Sequence, residues 1–128
     1  MQPVLLAYNL TGEKANKVRF ICMMLKVRFR PVNAEEAPLA VGALAGVKEL
    51  PEPEGAAEPV TDEMLVMAHF GDQLFDRFLN SLRAGGIPPI PLKAILTPTN
   101  ARWTSAALYE ELKREREAVR QQLANKNK

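Results

Sequence analysis

Residues 4–8, Val-Leu-Leu-Ala-Tyr, form a short run that is apolar at every position, as a strand buried on both faces requires. Asn9, Leu10, Thr11 and Gly12 break it. From Glu13 the apolar period lengthens, and Ala15, Val18, Ile21, Cys22 and Leu25 predict a helix, with Thr11 as N-cap and Glu13 suited to the first turn. Val27 to Val32 (VRFRPV) returns to alternation with period two. Its arginines and Pro31, which has no N–H for a ladder, mark an edge strand.

Residues 33–62 make a long acidic connection, with a short helix expected within Leu39–Leu50 and a mobile Pro- and Glu-rich stretch from Glu49 to Pro59. Met64–Phe70 (MLVMAHF) is apolar on both faces and predicts a second central strand. A helix follows from Gly71-Asp72, with the stripe Leu74, Phe75, Phe78, Leu79 and Leu82 and with Gly85-Gly86 at its end. Pro88, Pro89 and Pro91 delay a last strand, Leu92–Leu96, which the adjacent proline again marks as an edge. Thr97-Pro98-Thr99-Asn100 has the chemistry of a turn, since the side chains of Thr and Asn satisfy backbone groups locally. A final helix starts at Thr104 as N-cap, with Trp103 and Leu108 spaced as a hydrophobic staple. No internal repeat of useful length is visible.

Strand, helix, strand, strand, helix, strand is the order of a ferredoxin-like βαββαβ sandwich, here with an additional C-terminal helix and a long acidic loop between strands 2 and 3. The fold class expected is α+β. In that topology strands 1 and 3 are central and strands 2 and 4 are edges, as the apolar runs and prolines ask. A doubly wound sheet would need a crossover helix where the acidic, Pro-rich loop lies. One domain is expected over 1–124, including the connection 33–62 and the helix 104–124, followed by a disordered tail at 125–128. Two helices cover one sheet face. The other calls for the last helix, the long loop or a second copy of the chain, and the last helix together with dimerisation is the favoured cover.

Composition narrows the chemistry. The 128 residues include one Cys and one His, too few for a zinc site made by a single chain or for an internal disulfide. No apolar run approaches the roughly 18 residues of a membrane span, and no basic leader opens the chain, so a cytoplasmic protein without membrane contact is expected. The net charge of +2 hides a segregation: residues 1–34 carry +5, 35–72 carry −8, 73–103 carry +3 and the rest +2. An acidic connection of this kind either folds over a basic body or remains a solvated loop.

The segment Leu92–Asn100 (LKAILTPTN), followed by Trp103 and Leu108-Tyr109-Glu110-Glu111-Leu112, resembles a small bacterial domain-of-unknown-function family marked by a Leu-Thr-Pro-Thr-Asn motif after the last strand. The resemblance covers the last 60 residues best, and Gly42–Gly46 and Met64–Met67 also look like the family. It implies no activity. It singles out Thr97 and Asn100 as hallmark residues, with Pro98 and Thr99 between them.

The candidate ligand-binding residues are therefore Thr97, Thr99, Asn100 and Trp103, beside the alternative that Thr-Pro-Thr-Asn is only a structural turn. In the expected topology this turn shares a sheet end with the start of the 33–62 connection. Thr11, Gly12 and Gly71, at two helix N-termini expected side by side, are candidates for an anion. His69 with Asp72 is the one acid–base pairing in reach. Cys22 and the clustered Met23, Met24, Met64 and Met67 read as core. Arg28 and Arg30 with Lys26 make a basic edge, and Tyr8 and Phe70 are the aromatics available for base stacking on the sheet. No catalytic residue, metal site or cofactor is assigned. The function expected is a non-catalytic regulatory module that binds a small ligand or a protein, dimeric through self-association. The alternatives are a small enzyme at the Thr97–Asn100 turn and an RNA-binding module using the basic edge; nucleic acid is not the expected partner.

Overall fold

The two apolar runs do form the central strands. The computed structural model describes residues 2–126. Strand β1 is Val4–Tyr8 and β3 is Met64–Ala68, buried throughout and paired antiparallel, with Val4 opposite Ala68 and Tyr8 opposite Met64. Strand β2, Arg28–Val32, and β4, Leu92–Ile95, are the edges of a four-stranded mixed sheet in the order β2-β1-β3-β4.

This order corrects the ferredoxin-like arrangement. There each helix-linked strand pair is split by the insertion of another strand. Here β2 lies directly beside β1 and β4 beside β3, both parallel. The link from α1 (Gly12–Met24) to β2 is only three residues, and Arg28 N–H donates to the Pro3 carbonyl at 2.9 Å, so the strand docks at once on β1. Burial pattern does not separate the two topologies, because both bury strands 1 and 3 and expose strands 2 and 4. Pro31 is accommodated because, with Arg28 N–H aimed at β1, the alternation points the nitrogen of Pro31 outward.

The two βα halves have the same geometry at an offset of 60 residues. Helix α3, Asp72–Ala84, matches α1 in length, Asn9 and His69 both leave their strands at φ near +60°, and Lys26 and Gly86 do the same after the helices. This repeat is hidden in the sequence because the two helices bury different side chains at the same place, Val18 in one and Phe78 in the other.

One sheet face carries Leu5, Ala7, Leu65 and Met67 against α1 and α3, with Val18, Cys22 and Phe78 fully buried between them. Phe70 meets Phe78 edge-on at 5.7 Å. The other face carries Val4, Leu6, Tyr8, Met64, Val66 and Ala68 against the short helix α2 (Val41–Leu44) and the long helix α4 (Ser105–Lys126). The apolar surplus that suggested a second copy is thus covered within the chain. Thr104 caps α4 by accepting from Ala107 N–H at 3.3 Å, and Tyr8 and Ser105 share a buried hydroxyl–hydroxyl bond of 2.7 Å. Helix α4 includes Asn125 and Lys126, and residues 127–128 of the expected disordered tail lie outside the described residues.

The 33–62 connection contains a 3-10 turn at Ala34–Glu36 as well as α2. It crosses the α4 side of the sheet, with Ala40 bridging to Thr104 and Glu54 to Trp103. Two of its acids meet basic groups, Glu36 with Arg30 at 2.6 Å and Glu54 with Arg102 at 2.7 Å, and the adjoining Glu63 pairs with Lys14 at 2.6 Å. No helix among the described residues is long and apolar enough to cross a membrane.

Candidate functional site

The segment after β4 owes its shape to one side chain. Leu96 N–H still donates to Met67 C=O at 2.9 Å, after which the chain turns through Thr97–Thr99 into a 3-10 turn at Asn100–Arg102. The Asn100 amide then folds back on the strand. Its Oδ1 accepts from Thr97 N–H at 2.9 Å and its Nδ2 donates to Ile95 C=O at 3.0 Å. One donor and one acceptor, set two residues apart on the outer edge of β4, are what a neighbouring strand would satisfy. The Asn100 amide does so without a strand. Thr97 Oγ1 returns the contact by accepting from Asn100 N–H at 3.1 Å. Asn100 is 9% exposed and Thr97 and Thr99 are exposed.

Trp103 follows, half-buried, with its backbone tied down on both sides: its N–H donates to Asn100 C=O at 3.0 Å and its C=O accepts from Val41 N–H at 2.8 Å. Gly42 is needed here, because a Cβ on it would lie 2.8 Å from that of Ala101.

The turn, Trp103 and the edge of β4 border a groove of about 490 Å³. One wall is Phe75 and Leu79 of α3. The other is Leu108 and Leu112 of α4. All four residues proposed from sequence, Thr97, Thr99, Asn100 and Trp103, line it. The walls are mostly apolar but carry opposite charges, Lys93 from β4 and Glu111 and Glu115 from α4. Lys93 Nζ donates to the Ile90 carbonyl at 2.5 Å, and partial burial lowers its pKa. The walls were not read from the sequence. The β4 alternation, with Lys93 facing away from Leu92 and Ala94, was the available signal for Lys93.

Two placements differ from expectation. The Thr97–Asn100 turn does not share a sheet end with Asn33. The strands β2 and β4 run in opposite directions, so their ends lie at opposite ends of the sheet, and the connection reaches the turn only after crossing the face. For the same reason Thr11 and Gly12 lie at one end and Gly71 at the other; the antiparallel β1–β3 pair separates the two helix N-termini.

His69 sets Nε2 3.3 Å from the Ala45 carbonyl, and among the described residues no hydrogen bond joins it to Asp72. Cys22 is buried, and desolvation pushes its thiol up to about 12. Met64 and Met67 are core residues, but Met23 and Met24 are each 66% exposed, correcting the reading of all four as core. Arg30 forms a two-pronged pair with Glu36, at 2.8 and 2.6 Å, and Arg19 lies over the Phe29 ring. Tyr8 is buried beneath α4 and Phe70 packs on Phe78, so neither offers a stacking platform for bases. Among the described residues no group of three or more His, Cys, Asp or Glu is placed to hold a metal ion.

No curated protein and no solved structure matches the chain. Residues 63–119 match the model of a domain of unknown function (DUF3783), a span that holds β3, α3, β4, the Thr97–Asn100 turn and every residue lining the groove.

Proposed function

We propose that the protein is a non-catalytic binding module whose site is the groove between α3, the edge of β4 and α4. The observation that carries this reading is the open, mostly apolar groove beside an unpaired strand edge, with Trp103 in its wall. Apolar walls with a few convergent charges suit recognition of a small molecule or a protein segment. The enzyme alternative at the turn has less support. Asn100 and Thr97 are committed to each other and to Ile95, and among the described residues no general base is hydrogen-bonded to either.

Trp103 is the sole tryptophan of the chain, so its fluorescence reports the groove directly. Titration with pooled small metabolites and with short peptides is expected to give a saturable change in Trp103 emission. The double variant Glu111→Arg/Glu115→Arg, which alters exposed or half-exposed side chains, should abolish it. Equal binding by wild type and variant would place the site elsewhere and refute the reading.

A further inference from the structure

The two edges of the sheet are not alike. On β2 the outward position holds Pro31, and Arg30 is tied to Glu36, so the edge offers little to a further strand. No proline interrupts β4 between Leu92 and Thr97. Because Leu96 N–H points at Met67, the alternation aims the backbone groups of Leu92 and Ala94 at β3 and those of Lys93 and Ile95 outward. The Asn100 amide takes Ile95 C=O and Thr97 N–H. Lys93 N–H, Lys93 C=O and Ile95 N–H remain, turned to the groove and without a strand partner among the described residues.

Building on the groove as the binding site, we propose that it takes an extended segment of a partner protein as a fifth strand beside β4, with an acidic side chain opposite Lys93 and apolar or basic side chains toward α4. The charge pattern follows from strand alternation. A residue paired with Lys93 shares its sheet face, so a carboxylate there meets the ammonium group. The residues on either side point to the opposite face, where Leu108 and Leu112 offer apolar contact and Glu115, one turn beyond a Glu111 already paired with Arg114, attracts a cation. Backbone pairing supplies affinity and the alternating walls supply specificity, as in other strand-addition sites. A second copy fits less well. Pairing two β4 edges about a two-fold axis at Lys93 sets the two ammonium groups against each other across about 5.5 Å of backbone separation.

The test begins with a displayed library of random octapeptides selected on the full chain. Enriched sequences are expected to carry Asp or Glu flanked by apolar or basic residues, with no proline at the centre. A synthetic representative should slow amide exchange at Lys93 and Ile95, read by NMR. Ile95→Pro, which removes an outward N–H as Pro31 does in β2, should weaken binding by about tenfold or more. Lys93→Glu, a surface change that leaves the ladder intact, should switch selection toward peptides with a central Lys or Arg. Absence of enrichment over an unrelated protein overturns the proposal, as does an unchanged selection on Lys93→Glu. Peptides that shift Trp103 and Leu112 without slowing the two amides refute the added strand but keep the groove. Peptides that bind yet leave the groove resonances unmoved refute both. Protection that grows with protein concentration in the absence of peptide identifies a second copy and overturns the partner segment.

Discussion

Replacing Asn100 by Asp tests whether this residue serves the fold or a ligand. The two side chains have the same shape, so the change swaps one N–H donor for a carboxylate oxygen. In the native turn that atom faces Ile95 C=O at 3.0 Å, and the other oxygen still accepts from Thr97 N–H. The substitution therefore removes one hydrogen bond, leaves a carbonyl at a mostly buried site unsatisfied and sets an anion against it. A lost bond contributes about 1 kcal/mol and an unsatisfied partner about 1–3 kcal/mol, so Asn100→Asp is expected to destabilise by about 3 kcal/mol at pH 7. For a chain of this length that lowers Tm by about 10 °C. The sign of the pH dependence is a second signature. Protonation restores a donor toward Ile95 C=O, so the introduced carboxyl has a higher pKa in the folded chain than its unfolded value of about 3.9. The deficit relative to wild type then shrinks as pH falls from 7 toward 4. Calorimetry of wild type, Asn100→Asp, Asn100→Ala and Thr99→Ala at pH 7 and pH 4 measures both effects. Asn100→Ala should lose a similar amount with no recovery in acid. Thr99→Ala, at an exposed side chain without a hydrogen bond, should stay within about 0.5 kcal/mol. A deficit below about 0.5 kcal/mol for Asn100→Asp would refute the strand-closing role.

Phe78→Ala, which empties the fully buried site shared by both helices of one face, is expected to lose about 3–5 kcal/mol in urea unfolding; a loss under about 1 kcal/mol would mean that α1 and α3 do not share this core. The Cys22 thiol, pushed up to about 12 by burial, should resist a thiol reagent at pH 8 in the native chain and react once urea unfolds it; rapid native labelling contradicts its placement. The hydrogen bond from Arg30 holds the Glu36 carboxyl below its ordinary value, so the pair stabilises the fold above the unfolded carboxyl pKa and the contribution is lost as pH falls through the lower folded value. Glu36→Gln should flatten that part of the acid-unfolding profile, and an unchanged profile would show that the pair contributes nothing.

Much of the local structure was legible along the chain, because side-chain period and turn chemistry act over a few residues. The double-sided apolar runs at 4–8 and 64–70, the helix stripes through Val18 and Phe78, and the Thr104 cap are statements of that kind, and all appear in the structure, although the second run leaves the strand after Ala68, where His69 takes a positive φ. So did the edge character of β2 and β4, since Pro31 and Pro91 speak directly to the ladder. The hallmark turn was visible as a turn, and the four residues singled out there do line one groove.

What remained for the tertiary structure was every choice between arrangements that bury the same atoms. Swapping the edge strands leaves the core unchanged, so apolar pattern is silent on whether β2 docks beside β1 or beside β3. The strand directions part Gly12 from Gly71 and Asn33 from Thr97, and they do so in the ferredoxin-like order as well, so that separation was within reach of the sequence. The groove walls come from α3 and α4, which β4 and the turn separate in sequence, so only packing brings Phe75 and Leu79 opposite Leu108 and Leu112. Sequence by itself determined that Asn100 sits in a turn. Only the folded strand edge showed that its amide stands in for a neighbouring strand, because a hydrogen-bond partner is a matter of position in space and not of spacing along the chain.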